Sequence, residues 1–179
     1  MTYNANQPRV PSGNSAGGQW AGHNISRSKF DQMSATDKMN YATGGGQISD
    51  AHISELFDRI TQPDGGFTYQ PFSDQEPTEG FAVSIFPERS FATDVASLKF
   101  SDLVGYVVRN RDLLKHGENY LGAWHDPDTH KVFLDISQVT SSRHIATRLA
   151  LAHDQVAYFD LKTKKSFTVN RGAHSGGVI

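Results

Sequence analysis

Residues 119–136 constrain the fold more than any other stretch. Two runs, Tyr120-Leu121-Gly122-Ala123-Trp124-His125 and Lys131-Val132-Phe133-Leu134-Asp135-Ile136, flank Asp126-Pro127-Asp128-Thr129-His130. A strand period of two puts Tyr120, Gly122 and Trp124 on one face, and Leu121, Ala123 and His125 on the other. The residues between are turn formers. Pro127 suits the second position of a type I turn, and residue 130 falls where a tight hairpin calls for left-handed backbone. An antiparallel hairpin is expected. Both of its faces carry something apolar. One face is expected to pack on helices, and the other to be covered by N-terminal elements or by a partner.

The neighbouring segments extend this unit. Residues 81–86 (Phe-Ala-Val-Ser-Ile-Phe) read as a buried strand ended by Pro87. Ser101 is expected to cap a helix carrying Leu103, Tyr106, Val107 and Leu114, with Gly117 as its stop. Ser141 or Ser142 caps a further helix aligned on Ile145, Leu149 and Ala152, before a core strand at 156–161 and an edge strand at 166–169. From residue 81 the order is strand, helix, strand, strand, helix, strand. This predicts an α+β fold with a small mixed sheet and a ferredoxin-like βαββαβ core over 81–161.

Two helices and a strand precede that core. Ser34 or Thr36 caps a short helix over 34–41, ahead of Gly44-Gly45-Gly46. Ser49 caps a clearer one, in which Ile53, Leu56, Phe57 and Ile60 form one apolar stripe. It stops at Pro63-Asp64-Gly65-Gly66, and residues 67–69 start a short strand.

Hydrophobic residues are 37% of the chain and concentrate in residues 81–160. Residues 1–47 are mostly polar, small or Gly, and so lack the apolar surface that offsets ordering entropy. The expected organisation is a disordered or weakly ordered tail over 1–47, one domain over 48–170 and a frayed end over 171–179. A net charge of −2 argues against a general nucleic-acid binder, which carries a basic face. The chain contains no Cys, which excludes disulfides, thiolate catalysis and Cys-based zinc sites. The first residues have neither the basic nor the apolar region of a secretory signal, and no apolar run approaches a membrane span. Cytoplasmic placement, away from membranes, is the expectation.

The polar clusters read mainly as structure. His125, Asp126, Asp128, His130 and Asp135 are the residue types of a metal or acid–base site. Turn chemistry accounts for most of them, because Asp and Pro initiate turns and His tolerates positive φ. A zinc site needs three or four converging ligands, and this spacing offers two His on opposite sides of a turn. Glu88 and Arg89, after the 81–86 strand, either line a cleft or form a surface ion pair. The candidates for catalysis are therefore Glu88, Arg89, His125 and Asp135. His144 and Arg148 are expected on the outer face of their helix. No phosphate-binding glycine loop, nucleophile elbow or zinc-protease motif is present, and no cofactor is expected. Trp124 is either core or an interface anchor. In the tail, Arg9 and Trp20 are either a docking motif for a partner or a segment folded onto the domain.

Two stretches carry a resemblance. Arg9-Val10-Pro11-Ser12-Gly13 with Gly17-Gly18-Gln19-Trp20 resembles an N-terminal tag of actinobacterial phage and mobile-element proteins. Gly65-Gly66-Phe67-Thr68, Phe81-Ala82-Val83-Ser84, Pro87-Glu88-Arg89-Ser90, and Asn119 to Pro127 through Lys131-Val132-Phe133-Leu134-Asp135 are similar to a largely uncharacterised family of such proteins. The resemblance assigns no catalytic residue. Its hairpins are expected to hold Gly where this chain has His130. It implies a phage or prophage origin, with the tail as an address for packaging or delivery. The function expected is a non-enzymatic accessory protein that binds a host or phage protein in the bacterial cytoplasm, countering host defence or travelling with DNA. Two alternatives stay open: a small effector enzyme (a nuclease or nucleotide-modifying transferase), and a minor virion structural protein.

Overall fold

Serine caps set most of the helix starts. A computed structural model describes residues 26–44 and 49–169. In it, α1 (Arg27–Gln32), α2 (Ala35–Ala42), α3 (Asp50–Thr61) and α6 (Arg143–Ala152) each follow a serine: Ser26, Ser34, Ser49 and Ser142. Each hydroxyl accepts a backbone N–H from the first turn, one of the donors a helix start leaves unpaired. The helix α4 (Phe100–Arg109) is the exception. It starts before Ser101, and the Asp102 carboxylate accepts the Lys99 N–H at 2.8 Å. The single helix expected to reach Leu114 breaks at Asn110, whose side-chain amide donates to the Tyr106 carbonyl at 3.0 Å. The short α5 (Arg111–Leu114) continues beyond it.

The strands are β1 (Gly66–Tyr69), β2 (Phe81–Ser84), β3 (Phe91–Asp94), β4 (Asn119–Asp126), β5 (Lys131–Thr140), β6 (Ala157–Asp160) and β7 (Lys165–Thr168). They form one seven-stranded sheet in the order β1-β4-β5-β2-β6-β7, with β3 also on β5. The mixed sheet expected from the sequence is corrected: every ladder is antiparallel. The physical reason is the place of β5. It lies between β2 and β4, so those two strands run parallel without being neighbours.

β2 and β3 use the same edge of β5 in succession. β2 pairs with residues 137–140, and β3 with residues 131–134. Residues 85–90 leave the sheet between them, through a 3-10 turn at Pro87–Arg89. Pro87 has no N–H to give a ladder, so the excursion starts there. The short strand β3 was not expected.

Register fixes the two faces. Leu121, Ala123 and His125 of β4 lie opposite Ile136, Leu134 and Val132 of β5. Phe67 and Tyr69 of β1 share that face. Against it pack Ile53, Leu56 and Ile60 of α3, Leu103, Tyr106 and Val107 of α4, and Leu114 of α5. Val83, opposite Gln138, is also on that face and belongs to a second cluster with Ala146 and Ala150 of α6 and Tyr158 of β6.

The expected face of α6 holds at Leu149, which packs on the second cluster, and is corrected at Ile145 and Ala152. Ile145 is 48% exposed, and the buried positions are Ala146 and Ala150. Small residues let that helix approach β2 closely, and a stripe of large apolar residues does not reveal such a face. Val156 is also exposed, and its strand starts one residue later, at Ala157.

The folded part reaches further toward the N-terminus than the boundary expected at 47/48. Met39 and Ala42 of α2 are buried in the main cluster. Phe30 of α1 meets Tyr41 edge-on at 5.5 Å. The tail motif over 9–20 and the C-terminal end over 171–179 lie outside the described residues.

Candidate binding face

All the helices that feed the two main clusters pack on one face of the sheet. The other face carries Tyr120, Gly122 and Trp124 from β4, Phe133, Asp135 and Ser137 from β5, and Ala82 and Ser84 from β2. Ala82 and Ser137 on this face are buried. Trp124 is 41% exposed. Its ring stacks on its cross-strand partner Phe133, centroids 6.0 Å apart and planes 23° from parallel. Its indole N–H donates to Asp64 Oδ1 at 3.1 Å, from the turn that follows α3. Stacking and hydrogen bond hold the indole in one orientation while leaving much of it in solvent.

Asp135 lies two residues from Phe133 on the same face, about 7 Å along the strand. A carboxylate inside a sheet is costly unless it is paired. Here Ser90 Oγ, from the excursion over residues 85–90, donates to Asp135 Oδ1. Ser84 Oγ is buried on the same face, beside the Asp135 carboxyl. Across the ladder stands Gly122. A Cβ there would meet Ser137 Oγ at 2.9 Å, so glycine makes room for the buried Ser137 side chain. Burial pushes the Asp135 carboxyl above the usual carboxylate range, and the Ser90 and Ser84 hydroxyls draw it part of the way back. The ion pairs among the described residues use Asp74, Glu76 and Asp112, not Asp135.

The four residues considered for catalysis do not form one site. His125 is on the helix-covered face, 3% exposed, and its Nδ1 donates to the Gln62 carbonyl at 2.8 Å. Asp135 points to the opposite face. Glu88 is exposed in the 3-10 turn, beyond the edge of β5 that faces away from β4. Arg89 does not pair with it. Its guanidinium reaches Asp112 at 3.0 Å and Asn110 at 3.5 Å, tying the excursion to the junction of α4 and α5.

The turn cluster behaves as turn chemistry. Asp126 accepts from Asp128 N and Thr129 Oγ1, and those bonds hold its carboxyl below the usual range. His130 adopts φ +54°. Among the described residues, no three His, Cys, Asp or Glu come together closely enough to hold a metal ion. His144 and Arg148 are exposed. Arg9 and Trp20 lie outside the described residues.

One polar network had no signature in the sequence. His52 on α3 meets Asp74 Oδ1 at 2.9 Å through Nδ1, and Glu76 Oε1 at 3.3 Å through Nε2. Arg59, two turns along the same helix, places its Nη2 2.7 Å from both oxygens of Glu76. Tyr69 donates to Asp74 at 2.7 Å, and burial with that bond pushes its hydroxyl well above the usual phenol range. Gln70, 3% exposed, closes the base of the loop by donating to the carbonyls of Leu114, His116 and Asn119. The network ties residues 70–76 to α3 and β1. Its members come from segments 17 to 24 residues apart, a separation no short motif spans.

No family model, no curated protein and no solved structure matches this chain. Among the described residues, no helix is long and apolar enough to cross a membrane.

Proposed function

We propose that this is a non-enzymatic accessory protein of a phage or mobile element, and that it binds a host or phage protein through the helix-free face of its sheet. The observation that carries the reading is the exposed Trp124, held flat on Phe133 beside Asp135. Large exposed aromatics fixed in one orientation are the residues that anchor protein interfaces. The separation of His125 from Asp135 on opposite faces favours binding over the effector-enzyme alternative. The phage setting rests on the resemblance of residues 9–20 and of the hairpin.

The fold reading goes with it. Strands β2, β4, β5 and β6 lie in the order β4-β5-β2-β6, with α4–α5 and α6 as the two crossovers on one face. That order supports a ferredoxin-like core, to which β1, β3, β7 and the N-terminal helices are additions.

Affinity capture from cells carrying the element tests the function. The wild-type chain is expected to retain a stoichiometric partner that Trp124→Ala loses and Val156→Ser, away from this face, keeps. Capture that is indifferent to Trp124 would count against the face. Many symmetric copies in purified particles would favour the virion structural alternative.

A further inference from the structure

We propose that the outer edge of β7 takes up an extended, acidic protein segment as an added strand. This is a second binding surface, separate from the one at Trp124. Among the described residues, β7 pairs with β6 and with no other strand. The Val169 N–H donates to the Val156 carbonyl at 2.8 Å, which fixes the phase of the ladder. In an antiparallel pair the bonding residues alternate, so Val169, Phe167 and Lys165 bond to β6. The N–H and C=O groups of Ser166 and Thr168 therefore point away from the sheet, and both residues are exposed. The strand is held in place at its centre. Phe167 stacks on Tyr158 with centroids 5.7 Å apart, and the Arg143 guanidinium lies 4.4 Å over the Phe167 ring. Such an edge recognises an extended chain through main-chain hydrogen bonds. Charge selects which chain. Lys162, Lys164 and Lys165 are exposed in and beside the β6–β7 turn. Residues 143–169 hold five Lys or Arg against two Asp, in a chain whose net charge is −2. Lysines at an edge oppose pairing with a second copy, which brings the same charges, and favour carboxylates on the added strand. A nucleic-acid backbone would meet the lysines but not the row of alternating donors and acceptors.

The test is an NMR titration of the full-length, 15N-labelled chain with acetyl-Glu-Val-Glu-Val-Glu-amide at millimolar concentration. The matching peptide with Lys for Glu and a short oligothymidylate serve as separate probes. The acidic peptide is expected to shift the Ser166 and Thr168 amides and to slow their hydrogen exchange. The double variant Lys162→Glu with Lys165→Glu is expected to weaken that response at least tenfold, with the rest of the spectrum in place. Thr168→Pro, which removes an outward N–H but no bond to β6, is expected to weaken it as far. An equal response to the lysine peptide or to the oligothymidylate, or an unchanged titration in either variant, overturns the proposal. So does protection of the Ser166 and Thr168 amides in the chain without peptide. Protection that grows with protein concentration would make a second copy the occupant, and protection independent of concentration would make it another segment of this chain. Trp124→Ala is expected to titrate as the wild type does, so the edge stands or falls separately from the face at Trp124. A titration lost in Trp124→Ala would put the peptide on that face and overturn the edge.

Discussion

Trp124 and Phe133 are cross-strand partners whose rings stack 6.0 Å apart on the face of the sheet that carries no helix. Such a pair contributes roughly 0.5–1.5 kcal/mol beyond the area it buries. The indole N–H bond to Asp64 adds about 1 kcal/mol. Trp124→Ala is therefore expected to lower unfolding stability by about 1–3 kcal/mol while leaving the fold intact, as read by urea denaturation. A loss beyond about 4 kcal/mol would mean that Trp124 is a core residue, contrary to its exposure.

Asp135 makes stability depend on pH. Its carboxyl is raised above the ordinary value of 3.8, so the folded state holds its proton to higher pH than the unfolded state does. Stability contributed by the protonated form is fully present below the ordinary value, and is lost as pH rises from there through the folded value. Asp135→Asn cannot lose a proton. It is expected to flatten this segment of the pH–stability profile and to raise the melting temperature at neutral pH. Thermal unfolding from pH 3 to pH 7 reads both effects.

Tyr106 is 1% exposed, and its hydroxyl is buried without a hydrogen-bond partner. Burial pushes that phenol well above its usual range, so it stays neutral. A buried hydroxyl left unpaired costs about 1–3 kcal/mol. Tyr106→Phe removes the hydroxyl and keeps the ring. Its expected outcome is unchanged or higher stability, by up to about 2 kcal/mol in denaturant unfolding. A clear loss would reveal a partner for the hydroxyl.

Glu76 accepts from both Arg59 and His52, and the pairs are partly exposed. Glu76→Ala is expected to cost about 1–2 kcal/mol, at the lower end for solvent-screened charges. The difference from wild type is expected to shrink at 1 M salt, where the Debye length falls to about 3 Å. Hydrogen exchange should quicken in residues 70–76, which this network holds to α3.

Local chemistry was legible residue by residue. Period-two alternation separated Trp124 from His125 before any packing was known, and the ladder with β5 places them on opposite faces. Ser34, Ser49 and Ser142 cap helices because a serine hydroxyl satisfies a donor within its own turn. His130 takes the positive φ that its place in the turn demands. Elsewhere local pattern does not decide the outcome. Ile145 lies on an apolar stripe yet faces solvent, because Ala146 and Ala150 bring α6 close to β2. The break at Asn110 and the strand at 91–94 depend on contacts with residues far along the chain.

The sequence by itself determined α2, α3, α6, the strands of the hairpin with their two faces, and the order of these elements, since those follow from interactions within a few residues. Only the tertiary structure decided which face the helices cover. That choice sums packing over α3, α4, α5 and α6, and period-two alternation is the same for either face. It buries His125, leaves Trp124 in solvent, and places Asp135 with Ser90 across an excursion that local pattern does not register.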